Sequence, residues 1–104
     1  MRKKSELLRG LPPVHPGALL REDILPLVDM TKSDVARALG VSRAQLYAVL
    51  AEKAPVTAAM ALRLGRFFGN GPELWLNMQS NYDLETLAPK MRHDLAHIPR
   101  ARAA

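Results

Sequence analysis

Apolar residues recur along the chain at helical, not strand, spacing. Leu20 and Ile24 follow Pro16 at i, i+4, and Pro16 suits a first helical position because its missing N–H has no intrahelical partner there. Pro26 should stop or kink this first helix. Thr31 can cap a second helix, Lys32 to Leu39, with Asp34 in its first turn and Gly40 at the left-handed position beyond its end. Ser42 can cap a third, from Arg43 to about Glu52, and Ala54 before Pro55 predicts an extended break. Thr57 opens a fourth helix that runs to Phe68 and closes at Gly69. Pro72 and Glu73 suit the first turn of a fifth, for which Pro89 sets the latest end. There is no period-2 run of β-branched residues and no hairpin signal, so the expected class is all-α.

Within this pattern, Lys32–Leu50 has the form of a helix-turn-helix. Val35, Ala36 and Leu39 give the first helix an apolar stripe, and Leu46, Val49 and Leu50 give the second one another. Ser42, Arg43, Gln45 and Tyr47 are left facing outward at the start of the second helix, the end that enters the major groove in this motif. Arg43 can pair bidentately with guanine, and Gln45 with adenine. Lys32 lies where the first helix would cross the DNA backbone, and Lys53 could meet a phosphate beyond the second. An ordinary αα corner with solvated polar residues would show the same spacing.

The fifth helix, Pro72–Leu87, is apolar on two sides when wound at about 100° per residue. Leu74, Trp75, Met78 and Tyr82 share one side; Leu76, Leu84 and Leu87 share another. It carries Glu73, Asp83 and Glu85 and no Lys or Arg. One face is expected to pack inward. The other, marked by Leu76, Asp83, Leu84 and Leu87, would meet a second copy or a basic protein partner, unless the helix buries one broad face.

Composition narrows the picture. A chain of 104 residues that is 48% hydrophobic supports one small domain with one core. It has no cysteine, which removes disulfides and thiolate metal sites and fits a reducing cytoplasm. No apolar run is long enough for a signal peptide or a membrane span. The net charge of +5 is uneven: Arg2, Lys3, Lys4 and Arg9 outweigh Glu6 in one terminal stretch, and Lys90, Arg92, Arg100 and Arg102 outweigh Asp94 in the other. This predicts a basic N-terminal arm over 1–14, a helical domain over 15–88 and a basic flexible tail over 89–104. The tails either aid solubility or reach phosphates beside the domain.

Enzyme chemistry finds little support. His15, just before Pro16, reads as a helix cap or packing residue. His93 and His97 stand at i, i+4 without an evident third ligand, and Asp83 and Glu85 point in different directions. Met60 and Met78 read as gap-fillers. No catalytic residue, metal or cofactor is expected.

The segments HPGALLRED (15–23), DVARALGVSRAQLY (34–47), PVTAAMALRLGRFFG (55–69) and PELWLNMQSNYDL (72–84), in this order, resemble the HigA-type antitoxins of the wider xenobiotic-response-element and lambda-repressor-like class. The resemblance implies a five-helix DNA-binding domain that dimerises on an inverted-repeat operator. It also implies repression of the chain's own promoter and neutralisation of a HigB-type messenger-RNA-cleaving toxin. Groove contacts would fall on Ser42, Arg43, Gln45 and Tyr47, with Lys32 at the backbone. Two alternatives remain: a solitary regulator without a toxin, and an interaction module that has lost DNA binding.

Overall fold

A computed structural model describes residues 13–102 of the chain. Most of the basic N-terminal arm expected over 1–14 therefore lies outside the described residues. Six α-helices follow one another, with no strand among the described residues: α1 (Pro16–Leu19), α2 (Lys32–Leu39), α3 (Arg43–Leu50), α4 (Ala58–Phe68), α5 (Pro72–Leu87) and α6 (Arg92–Ala96). None is long and apolar enough to cross a membrane.

Local chemistry sets the helix ends. His15 caps α1, its Nδ1 accepting from the Gly17 N–H at 2.9 Å. Beyond α1 the chain widens into a π-helical turn, Leu20–Ile24, then tightens into a 3-10 turn, Leu25–Leu27. Pro26 explains the disturbance, since it offers no N–H to the ladder and its ring crowds the preceding turn. Thr31 Oγ1 accepts from the Asp34 N–H at 3.1 Å and starts α2. At the other end Gly40 takes φ 75°, the Val41 N–H donates to the Ala36 carbonyl and the Gly40 N–H to that of Arg37. This paired closure is a Schellman motif. Arg63 of α4 adds a donor to the last carbonyl, Leu39, at 2.8 Å. Helix α3 ends at Leu50, two residues short of the sequence expectation, because Glu52 turns into left-handed backbone at φ 62°.

The core gathers Leu20, Leu25, Val35, Ala36, Leu39, Leu46, Val49, Leu50, Val56, Met60, Ala61, Leu64 and Trp75. Helices α2 and α3 contribute the positions their apolar spacing predicts, and α4 and α5 form the most extensive helix pair. The tightest approach is between α1 and α3. A Cβ built on Gly17 would lie 1.8 Å from the Val49 carbonyl oxygen, so the two backbones touch and only glycine fits.

Two polar groups lie inside. Gln79 of α5 accepts from the Val56 N–H at 2.8 Å and donates to Asp83 at 2.9 Å, stapling the lead-in of α4 to α5. His15 stands edge-on to the Tyr82 ring, with centroids 5.0 Å apart, tying α1 to α5.

The inner face of α5 differs from the wheel drawn on sequence. Trp75 is buried and its Nε1 donates to Asn70 at 3.0 Å, but Leu74, assigned to the same side, is half exposed. Leu76, assigned outward, packs partly on the core, and Asp83 is engaged by Gln79. The inward face is centred between Trp75 and Gln79, so Leu74 falls on one flank and Leu76 and Asp83 on the other. Within 89–104, read as a tail, α6 forms a short helix with no buried residue.

Two stability effects follow. Gly17→Ala should cost about 3 kcal/mol in urea unfolding, since a backbone oxygen cannot move aside. Gly40→Ala, which meets only the mobile end of Arg63 but must hold a positive φ, should cost about 1 kcal/mol.

Burial lowers the His15 pKa from 6.5, against the opposing pull of Glu52, Asp83 and the Ala54 carbonyl. The neutral ring, with Nδ1 accepting and the proton on Nε2, is therefore favoured in the folded state, and the unfolded chain binds more protons below pH 6.5. The stabilisation is complete above that pH and is lost as pH falls from it through the lowered native value. Denaturant titrations at pH 7.5 and 5.5 should show wild type losing more stability than His15→Asn, which keeps a capping side chain but does not titrate.

Candidate nucleic-acid interface

The α2–turn–α3 pair has the geometry its sequence predicts. Val35, Ala36 and Leu39 of α2 meet Leu46, Val49 and Leu50 of α3 in the core, and the opposite face of α3 is left open. Ser42, Arg43, Gln45 and Tyr47 are all exposed at its N-terminal end. Their arrangement falls into three parts.

Ser42 and Gln45 engage each other. Ser42 Oγ accepts from the Gln45 N–H at 3.0 Å, and Gln45 Oε1 accepts from the Ser42 N–H at 2.9 Å. This reciprocal capping box satisfies two of the donors that every helix start leaves over. It also turns the Gln45 amide back toward the helix. One acceptor site of the oxygen that a bidentate pair with adenine requires is already engaged by the backbone, and the Nε2 donors have no partner among the described residues.

Arg43 makes no hydrogen bond or ion pair within the described residues. It borders a shallow concavity with Ser33, Ala36, Arg37 and Val41, at the crease between the two helices. Arg37 and Ser33 were not singled out in the sequence. One helical turn apart on α2, they could have been found as the outward positions facing Arg43. Arg37 lies 3.6 Å from Asp34, a solvated pair of little energetic weight.

Lys32 and Tyr47 come together across the helix pair, with Nζ 6.0 Å from the ring centroid. The ammonium lies at the N-terminus of α2 and the phenol is carried on the open face of α3, so one cation and one hydroxyl-bearing ring stand side by side across the helix pair. Lys53 is exposed but sits past the opposite end of α3. That end is clamped from the π-helical turn after α1: Arg21 Nη1 donates to the Leu50 carbonyl at 2.6 Å and meets Glu52 at 3.3 Å. Hydrogen bonds to Glu22 and then Glu52 push the Arg21 pKa up, so its charge is constant.

The second surface expected from sequence divides. Leu84 and Leu87 are exposed, at 67% and 51%, whereas Leu76 and Asp83 serve the fold as described above.

No protein-family model matches the chain. Individual proteins do. Virulence-associated protein I of Dichelobacter nodosus is 41% identical over 75 residues, which cover 72% of this chain and 69% of the relative. Antitoxin HigA-1 of Vibrio cholerae is 36% identical over 72 residues, 69% of this chain and 68% of the relative. Among solved structures, the Pseudomonas aeruginosa antitoxin HigA with the higBA promoter superposes at a TM-score of 0.78 and 34% identity, covering 88% of this chain and 99% of that one. With this identity over more than two thirds of both chains, the same fold and the same helix pair, the chain belongs to the HigA-type family of helix-turn-helix antitoxins.

Proposed function

We propose that this chain is an operator-binding autorepressor that acts as a dimer and neutralises a HigB-type messenger-RNA-cleaving toxin. The observation that carries the DNA half is the open N-terminal end of α3, where Arg43, Tyr47 and the Ser42–Gln45 box project beside Lys32. A related antitoxin of the same fold is known with its promoter. The toxin half rests on family membership and on an acidic α5 whose Leu84 and Leu87 are left open.

In this reading α3 enters the major groove by its first turn. Arg43 has no partner among the described residues and carries the strongest base readout, two donors to guanine O6 and N7. Tyr47 follows one turn on, and its hydroxyl can reach a base edge or the sugar-phosphate backbone. Gln45 contributes chiefly by holding the end of α3 in register. Lys32 and Lys53 flank the helix at its two ends and meet phosphates, which position the domain without selecting sequence. Two copies read an inverted repeat with half-sites about 34–36 Å, or a multiple of that, apart.

The three side chains should separate in a competition assay over every single-base variant of the operator. Arg43→Ala should erase about 1–3 kcal/mol of discrimination at one base pair per half-site. Lys32→Ala should weaken all variants equally and lower the salt slope by about one. Gln45→Ala should cost about 1 kcal/mol of fold stability through the lost cap and weaken every variant evenly. Loss of preference at an adenine in that last variant would restore Gln45 as a base reader. Co-expression with the adjacent gene product should recover a stable complex and abolish its messenger-RNA cleavage; a protein that binds its operator but captures nothing there would be a solitary regulator.

A further inference from the structure

The residue of α3 that faces farthest from the core is apolar. Leu46, Val49 and Leu50 share the buried side of the helix. Wound at about 100° per residue, Ala44 stands within about 20° of diametrically opposite them, with Arg43, Gln45 and Tyr47 on its flanks. Ala44 is exposed. Ala48, one turn on along the same line, is half-buried, and its carbonyl accepts from the Lys53 and Ala54 N–H groups at 2.9 and 3.1 Å. In the first turn, then, the crest of α3 is a single methyl group.

The flanking side chains are engaged elsewhere. Gln45 turns its amide back to the Ser42 N–H at 2.9 Å. Arg43 borders the crease with Arg37 and Val41, and Tyr47 stands beside the Lys32 ammonium. A helix whose crest ends at Cβ can approach a surface closely, and where it touches it offers neither donor nor acceptor. The major groove presents hydrogen-bonding edges and one methyl, the C5-methyl of thymine. Pressed against Ala44, an amino or carbonyl edge gives up water and gains no partner, whereas a methyl gains contact and leaves water favourably.

We propose that Ala44 is a specificity-determining residue of this protein, reading the C5-methyl of a thymine beside the guanine that Arg43 pairs with. This rests on the operator-binding reading above and deepens it: each half-site then holds a guanine chosen by hydrogen bonds next to a pyrimidine chosen by its methyl group. The residue carries no polar atom in its side chain, so a search for hydrogen-bonding side chains passes over it. Because the recognised group is the methyl, 5-methylcytosine offers the same contact and cytosine does not. Methylation of a cytosine placed there therefore strengthens binding.

Uracil differs from thymine only by lacking the methyl, so single thymine-to-uracil replacements isolate the contact. The probe is the duplex that the full chain protects upstream of its own coding region, altered in one half-site at a time. At one position the wild type should bind the thymine duplex about four-fold more tightly than the uracil duplex, the effect of one methyl group removed from water. Ala44→Gly should bind the two alike. Glycine weakens a helix, but any loss of folded protein scales both affinities and cancels in the ratio. A cytosine at that position should gain about four-fold on 5-methylation with wild type and nothing with Ala44→Gly. Sequence-specific binding in which no thymine-to-uracil ratio differs between wild type and Ala44→Gly would overturn the assignment and leave the operator reading standing. Protection of no particular sequence would overturn both.

Discussion

The contact between Gly17 and the Val49 carbonyl sets the position of everything that could read DNA. Helix α3 is only eight residues long, too short to hold itself in water. It is held by neighbours on three sides: α2 through the turn at Gly40, the core through Leu46, Val49 and Leu50, and α1 by direct backbone contact. The last is the least forgiving, because a side chain can repack but a carbonyl on a helix cannot. Arg21 completes the seam by donating to the Leu50 carbonyl, where α3 has run out of N–H partners. The same short α1 reaches the other way, through His15, to Tyr82 of α5. It thus joins the helix that would enter the groove to the helix that carries the exposed Leu84 and Leu87.

Much of this was legible in the sequence because helix ends are local events. Thr31, Ser42 and Thr57 cap as expected, Gly40 and Gly69 take positive φ, and Pro72 opens α5, since each depends on atoms within a few residues. The core positions of α2 and α3 followed from periodicity for the same reason. What escaped needed knowledge of neighbours. A helical wheel separates faces but does not say where the covering helices centre, so it groups Leu74 with Trp75 and Leu76 with Leu84, whereas Leu74 is half exposed and Leu76 packs partly on the core. The π turn at Leu20–Ile24 records a negotiation between Pro26 and the packing of Leu20 and Leu25, which no spacing rule shows.

Gln45 shows a different limit. As a residue type, glutamine at the start of a recognition helix suits adenine; as the third residue after a serine cap, it suits the capping box. Both follow from sequence, and they compete for one oxygen. In the free protein the backbone wins, because the Ser42 N–H is adjacent and needs no partner molecule. Leaving the box would cost about 1 kcal/mol before any base was touched. Arg43 has no hydrogen bond among the described residues to give up first, which is why the proposed reading places discrimination on it.

The placement of the two surfaces bears on how a partner could influence DNA binding. From the open face of α3 the path to Leu84 and Leu87 runs through backbone contact, a buried histidine and a helix stapled by Gln79, with each buried polar side chain atom satisfied among the described residues. A path of this kind transmits a conformational signal where one of its elements has two packings of similar energy. In the proposed reading a partner's leverage is over pairing. Two tethered copies bind an inverted repeat with a high effective concentration at the second half-site, and one copy binds half a site alone, so stabilising or competing with the pair changes operator affinity by orders of magnitude without moving a base-reading atom. Regulation built this way would depend on how many copies are joined and at what spacing, and in the proposed reading the α3–α1–α5 contacts would set that spacing.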